Sequence, residues 1–112
     1  MTDAQFVKEC LSIASRAYSI QYAEAISPGR SSPDVAEARY CVYAFMREWE
    51  GWQSDRIAAA LPYKMSAATV RYGYLRYYDL CEIYERSMRA MKTSWEAMKE
   101  VNDSQTENIK VI

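Results

Sequence analysis

Histidine is absent from this chain of 112 residues. Its absence excludes serine–histidine and cysteine–histidine nucleophile pairs, histidine-ligated metals and imidazole acid–base chemistry. Glycine and proline occur only three times each, which is too few for a β-sandwich with many tight turns. The composition therefore predicts one all-α domain that is not an enzyme and needs no cofactor.

Cysteine is also scarce, because only Cys10, Cys41 and Cys81 are present and they lie far apart. No pair has the spacing of metal ligands, so we expect free buried thiols, a reducing cytoplasm and no metal site. No run approaches the roughly 20 apolar residues that cross a membrane. The 14 basic and 15 acidic side chains give a net charge of −1, so total charge does not favour nucleic acid. We predict a cytoplasmic protein with no membrane and no small-molecule partner.

Apolar spacing predicts a first helix over residues 3–26, followed by a loop with Pro and Gly. Ser32 is expected to cap a second helix that ends near Gly51. Arg39 lies in the middle of this helix among apolar neighbours, where we expect it to form an internal ion pair with Asp34 or Glu37.

A short third helix is predicted over residues 54–61, with Ser54 as its cap. Ser66 then caps a fourth helix that begins at Ala67 and is weakened only by Gly73. It runs to about Val101 as one rod or two nearly collinear rods. We therefore divide the chain into one domain over 1–101, with a core over 26–80 and a C-terminal helix over 81–101, and a frayed polar tail over 102–112.

The fourth helix carries an apolar seam that needs a partner. One alternative is antiparallel packing against the apolar face of the first helix. The other is a homodimer through residues 81–101, because the first helix is too short to cover Trp95 and Met98. An exposed apolar stripe at that end would favour the homodimer.

The third and fourth helices form a helix-turn-helix pattern. Ile57, Leu61 and Val70 are spaced to fill the angle between them, and small Ala58 allows a close crossing. Since Ser66 caps the fourth helix, its first turn forms a rigid unit suited to the major groove of DNA. An ordinary helical corner would give the same pattern.

The charge of this segment differs from that of the whole chain. Residues 51–80 carry four basic and two acidic side chains. At about 100° per residue, the face opposite Val70 and Tyr77 carries Ala68, Tyr72, Leu75 and Arg76, with Thr69 and Arg71 on its flanks. This face is typical of a DNA-contacting helix, and a merely solvated helix face is the alternative.

A series of short motifs runs through residues 26–80. In chain order these are Arg30 in the loop, Ala38-Arg39, Ala44-Phe45-Met46-Arg47-Glu48, Gly51, Ile57, the turn Pro62-Tyr63-Lys64 and Thr69-Val70. Together they resemble the C-terminal DNA-binding domain of the bacterial replication initiator DnaA, a helical fold grouped with the Trp repressor. The resemblance covers about half of the chain.

The resemblance implies a role for three residues. Arg30 would reach the minor groove, Lys64 would lie near a phosphate, and Thr69 would face the major groove. Where the family has Asp-His-Ser/Thr-Thr-Val, this chain has residues 66–70, Ser-Ala-Ala-Thr-Val, so recognition of the initiator's own site is not implied. No phosphate-binding GxxxxGK[ST] loop is present.

We therefore expect an all-α fold with a helix-turn-helix core of the DnaA C-terminal domain or Trp-repressor type, an added N-terminal helix and a long C-terminal helix. The expected function is that of a small stand-alone, regulatory or replication-associated protein that binds double-stranded DNA with the helix starting at Ala67. The expected DNA-binding residues are Arg30, Lys64, Ser66, Thr69, Arg71, Tyr72 and Arg76. The alternative is a helical protein-interaction adaptor that keeps the fold without specific DNA reading.

Overall fold

The computed structural model describes the backbone of residues 1–27 and 32–111 and the side chains of 1–27 and 32–103. Within these ranges the chain forms six helices and no strand, which confirms the all-α prediction. The helices are α1 (Asp3–Ala17), α2 (Tyr22–Ile26), α3 (Pro33–Glu48), α4 (Ser54–Ala60), α5 (Ala67–Ile83) and α6 (Glu85–Val111). No helix in the described part of the chain is both long and apolar enough to span a bilayer.

The first predicted helix, over residues 3–26, is two helices in the structure. α1 ends at Ala17, and Ser19 has a left-handed backbone with φ 55°. Tyr18 between them is buried, and its hydroxyl donates to Oε1 of Glu37 at 2.9 Å. The apolar spacing does not encode this polar contact with α3, so the prediction of one continuous helix is wrong.

The buried side chain of Arg39 connects α3 to the end of α2. Its Nε and Nη2 atoms each donate at 2.8 Å, to the carbonyl oxygens of Ala25 and Ser27. The guanidinium therefore satisfies backbone acceptors at a helix end. The predicted ion pair with Asp34 or Glu37 is wrong, because Asp34 pairs with Arg86 and Glu37 accepts hydrogen bonds from Tyr18 and Ser87.

α3 is the central helix and α5 crosses it at short distance. Ser32 caps α3, as predicted, by accepting a hydrogen bond from the Val35 N–H. At the crossing, a Cβ on Gly73 would lie 2.7 Å from Cδ1 of Tyr40 and 2.9 Å from Cδ2 of Tyr43. Gly73 is thus more than a weak point of α5, because the absence of its side chain sets the approach of the two helices.

The predicted rod over residues 67–101 is folded back at Tyr84. This residue is extended, with φ −114° and ψ 120°, and separates α5 from α6. The hydroxyl of Tyr77 lies 3.5 Å from the carbonyl oxygen of Ser87, whereas a continuous helix would separate the two residues by about 15 Å. The prediction of a single or collinear rod is therefore wrong: α5 and α6 pack against each other.

The apolar seam of α6 is covered within the chain. α1 packs along α6, as in the intramolecular alternative. The indole ring of Trp95 stacks on Phe45 with centroids 5.7 Å apart and donates to the carbonyl of Cys41 at 3.3 Å. Met98 is fully buried. The expectation that Trp95 and Met98 form an exposed stripe is therefore wrong, because Trp95 packs on α3 and Met98 is buried. A homodimer stays a prediction.

Two predicted helix boundaries also differ. Gln53, not Ser54, is the residue before α4, and Ser54 is the first helical residue. Ser54 lies near the side chain of Tyr74 on α5 and lowers the pKa of the Tyr74 hydroxyl. α6 continues beyond Val101 to Val111, and fraying of residues 102–112 stays a prediction.

The cysteine side chains are free thiols. Cys10 and Cys41 are buried, as expected, whereas Cys81 is half-buried at the edge of the core. Burial raises the pKa of all three thiols, that of Cys81 to about 11. They therefore stay protonated near neutral pH, and Sγ of Cys41 shares a 3.2 Å hydrogen bond with the Ser94 hydroxyl.

Replacing Gly73 with alanine is expected to destabilise the protein. Helix propensity alone favours alanine by about 1 kcal/mol, but overpacking costs about 1–3 kcal/mol, and two ring contacts under 3.0 Å demand a shift of α5. We expect urea unfolding to show a net loss of stability. In a Tyr40→Ala background, which removes one of the two rings, Gly73→Ala should lower the free energy of unfolding by less than it does in the unaltered protein. A more stable Gly73→Ala protein would contradict the tight crossing.

Buried tyrosines are expected to make stability fall at high pH. Burial raises the pKa of Tyr18, Tyr43 and Tyr77, and raises those of Tyr63 and Tyr78 to about 12. Because the folded state holds these protons more tightly, their contribution is complete below the unfolded pKa of about 10 and is lost as pH rises above it. Urea midpoints measured on both sides of that pH should show this fall, and a midpoint that rises would disprove it.

Candidate nucleic-acid interface

α4 and α5 are joined by residues 61–66 and meet at an angle. The hydroxyl groups of Tyr63 in this connection and Tyr43 on α3 share a hydrogen bond. The angle is filled by the apolar side chains singled out in the sequence, which are buried Ile57 and Val70 and half-buried Leu61. The connection is therefore held to the core at its middle while α5 begins at the surface.

Ser66 caps α5 as predicted. Its hydroxyl accepts a hydrogen bond from the Thr69 N–H at 3.1 Å and lies 2.8 Å from the Thr69 hydroxyl. Ser66, Ala68 and Thr69 are all exposed, so neither α1 nor α6 covers this end of α5. An open helix N-terminus offers backbone N–H groups and the positive end of the helix dipole.

The predicted DNA-binding residues of the described part lie on the surface around this end of α5. Arg30 lies outside the described residues. On α5 the exposed positions recur every three or four residues from Ala68 to Arg76, so they form one stripe along the helix. The six exposed side chains are Lys64, Ser66, Thr69, Arg71, Tyr72 and Arg76.

Some cations elsewhere in the chain are paired with carboxylates, whereas the cations of the stripe and Lys64 before it are not, among the described side chains. Arg56 pairs with Asp3 at 2.9 Å, and Arg86 pairs with Asp34 at 3.0 Å. Lys64, Arg71 and Arg76 form no ion pair with any side chain among residues 1–27 and 32–103. These three charges are therefore available to an external anion.

Acidic side chains on α5 begin only past this stripe. Asp79 and Glu82 are exposed on the last turns of the helix, whereas residues 67–78 contain no carboxylate. The stripe therefore ends between Arg76, its last cation, and Asp79, the first carboxylate of α5. Beside this stripe, the exposed carboxylate of Glu48 on α3 accepts a hydrogen bond from the Tyr78 hydroxyl at 3.2 Å.

Sequence reasoning missed Arg47 as part of this region. Ser54, then the guanidinium groups of Arg47 and Arg71, lower the pKa of the Tyr74 hydroxyl. Arg47 is exposed on the last turn of α3. Its neighbour in the sequence is acidic Glu48, and only the packing of α3 against α5 brings Arg47 towards Tyr74, so no local pattern identified it.

Comparisons of the chain with protein-family models, with curated proteins and with solved structures found no match. The similarity of residues 26–80 to the initiator domain therefore stays a prediction that rests on the motifs quoted above. The function has to be argued from the exposed stripe of α5 and the side chains around it.

The Ser66 cap gives a test of how α5 begins. Ser66→Ala removes the acceptor for the Thr69 N–H, and loss of such a cap costs about 1 kcal/mol. We expect a corresponding loss in the free energy of unfolding measured in urea. Ser66→Asp keeps an acceptor at the cap and should retain most of the stability. Equal stability of Ser66→Ala and the unaltered protein would show that the cap contributes nothing.

Proposed function

We propose that this protein binds double-stranded DNA and inserts the first half of α5 into the major groove. The observation that carries the proposal is the exposed stripe of α5, whose cations have no carboxylate partner within the described side chains. The major groove is about 12 Å wide and accepts an α-helix. A role in regulation or replication follows from the resemblance to the initiator domain and belongs to the same proposal.

The proposed contacts divide into positioning and reading. Lys64 and Arg71 flank the open end of α5 and bind phosphate groups, with Arg47 as an added phosphate contact. The helix N-terminus capped by Ser66 provides further attraction for phosphate through its N–H groups. Contact of Arg30 with the minor groove remains a prediction from the resemblance.

Three side chains of the stripe would lie deeper in the groove. Thr69, Tyr72 and Arg76 are exposed on α5, with spacings that place them on one side of the helix. Arg76 has the fork geometry that suits guanine or a phosphate. Thr69 and Tyr72 offer a methyl group, an aromatic ring and hydroxyl groups to base edges and sugars.

A protein-interaction adaptor is the second candidate function. It is favoured by the exposure of Tyr72 and Leu75, whose side chains are 61% and 47% accessible, and by the net charge of −1. Aromatic and aliphatic side chains are common in the centre of protein interfaces. An adaptor needs no unpaired cations around these residues, which is why DNA is the preferred candidate.

The salt dependence of binding tests the proposal. Binding to a random-sequence duplex should weaken steeply with salt, since each phosphate contact contributes about 0.9 to the slope of log affinity against log salt. The double variant Lys64→Ala, Arg71→Ala should lower that slope by about 1.8. Binding can be followed by fluorescence anisotropy of a labelled duplex.

Lys92→Ala is a matched control for this experiment. Lys92 is an exposed lysine on α6 and forms no ion pair among the described side chains, so its loss changes the total charge but not the stripe. We expect its salt slope to equal that of the unaltered protein. Absence of salt-dependent binding by the folded protein would overturn the DNA proposal and favour the adaptor.

A further inference from the structure

Two large apolar side chains interrupt the charged stripe of α5. Tyr72 and Leu75 are 61% and 47% exposed, and they are three residues apart, so they are neighbours on one helix face. The core is complete without them, because Val70, Tyr74 and Tyr77 form the buried side of the same helix. Neither side chain therefore belongs to the hydrophobic core of the described residues.

The aromatic ring of Tyr72 is held in place. It packs edge-on against Tyr40 of α3, with centroids 6.4 Å apart and planes at 86°. Tyr40 in turn contacts Tyr43, with centroids 6.3 Å apart. A ring fixed at one edge and exposed at the other loses little freedom when it meets a ligand.

The polar composition of α5 limits how it can read bases. Residues 67–83 contain no Asn or Gln, the side chains that pair with adenine through two hydrogen bonds. Asp and Glu side chains can accept a hydrogen bond from cytosine, but the carboxylates of α5, Asp79 and Glu82, lie after Arg76 and outside the stripe. Between Arg71 and Arg76 the stripe offers mainly apolar surface.

We propose that Tyr72 and Leu75 read the C5-methyl groups of thymine in the major groove, an inference that rests on the DNA-binding function proposed above. Thymine is the base that presents a methyl group there, and apolar side chains recognise it by contact. The flanking arginines favour DNA as the occupant of this apolar patch, since they complement phosphates on either side.

The spacing of the two side chains suits consecutive base pairs. Three residues advance an α-helix by about 4.5 Å, and successive base pairs are about 3.4 Å apart. Leu75 and Tyr72 would therefore meet methyl groups on the same or neighbouring steps. Small Ala68, one turn before Tyr72 on the same face, leaves room for the groove wall.

The experiment begins with selection of duplexes from a random 30-base-pair library by the unaltered protein. We expect enrichment of thymine at one or two adjacent positions. Each enriched thymine is then replaced by deoxyuridine, which keeps base pairing and removes only the methyl group. We expect affinity to fall about fourfold for one buried methyl group and about fifteenfold for two.

Variants assign the methyl contact to these side chains. Leu75→Ala and Tyr72→Ala should bring the thymine-to-deoxyuridine affinity ratio towards one while the salt slope is unchanged. Tyr72→Phe keeps the ring and should keep the ratio. Ile83→Ala is the matched control, because Ile83 is 65% exposed on α5 but lies past Asp79 and Glu82, and its ratio should match that of the unaltered protein.

The outcomes separate this inference from the function on which it rests. Salt-dependent binding with equal affinity for thymine and deoxyuridine duplexes would overturn methyl reading and leave DNA binding intact. A ratio that survives Leu75→Ala and Tyr72→Ala would assign the reading to other residues and also overturn the inference. Absence of salt-dependent binding would overturn both proposals. Where one variant fails to fold, a ratio of one on the unaltered protein still overturns the inference, and the other variant tests the assignment.

Discussion

The close crossing of α3 and α5 at Gly73 determines which side of α5 faces outward. The rings of Tyr40 and Tyr43 occupy the space that a side chain at position 73 would need. α5 therefore lies with Val70 and Tyr77 fully buried. Side chains project from a helix at fixed angles around its axis. Burial of one side of α5 therefore leaves the opposite side, the stripe from Ala68 to Arg76, on the surface. The candidate interface is thus a consequence of a packing contact on the opposite side of the helix.

A second constraint comes from one half-buried carboxylate. Oε1 of Glu37 accepts hydrogen bonds from the hydroxyl groups of Tyr18 and Ser87, and the Tyr18 and Tyr77 hydroxyls lie 2.9 Å apart. These contacts join the end of α1, the second turn of α3, the second half of α5 and the start of α6. A buried polar network of this kind is costly when a partner is missing, so it fixes both the break after α1 and the turn from α5 into α6.

Features that depend on residues close together in the sequence, such as the starts of two helices and the exposed face of a helix, were predicted correctly. The capping residues Ser32 and Ser66 predicted where α3 and α5 begin. The small number of glycines predicted the all-α class, and helical spacing predicted the exposed face of α5. The break at Tyr18 and the turn at Tyr84 depend on partners distant in sequence, since Tyr18 and Tyr77 are 59 residues apart. The partner of Arg39 was predicted wrongly and the position of Arg47 was not predicted, both for the same reason. Helix packing, not sequence spacing, determines which residues lie next to them.

Charges are unevenly distributed along this chain of net charge −1. Asp3 and Asp34 form ion pairs that join α1 to α4 and α3 to α6, so these carboxylates neutralise arginines that connect helices. Lys64, Arg71 and Arg76 form no such pair with the described side chains. At physiological salt the screening length is about 8 Å, so a polyanion at α5 would respond mainly to nearby charges, which include Glu48 and Asp79 as well as these three cations. The charge of residues 51–80 is therefore a better guide to this surface than the charge of the chain.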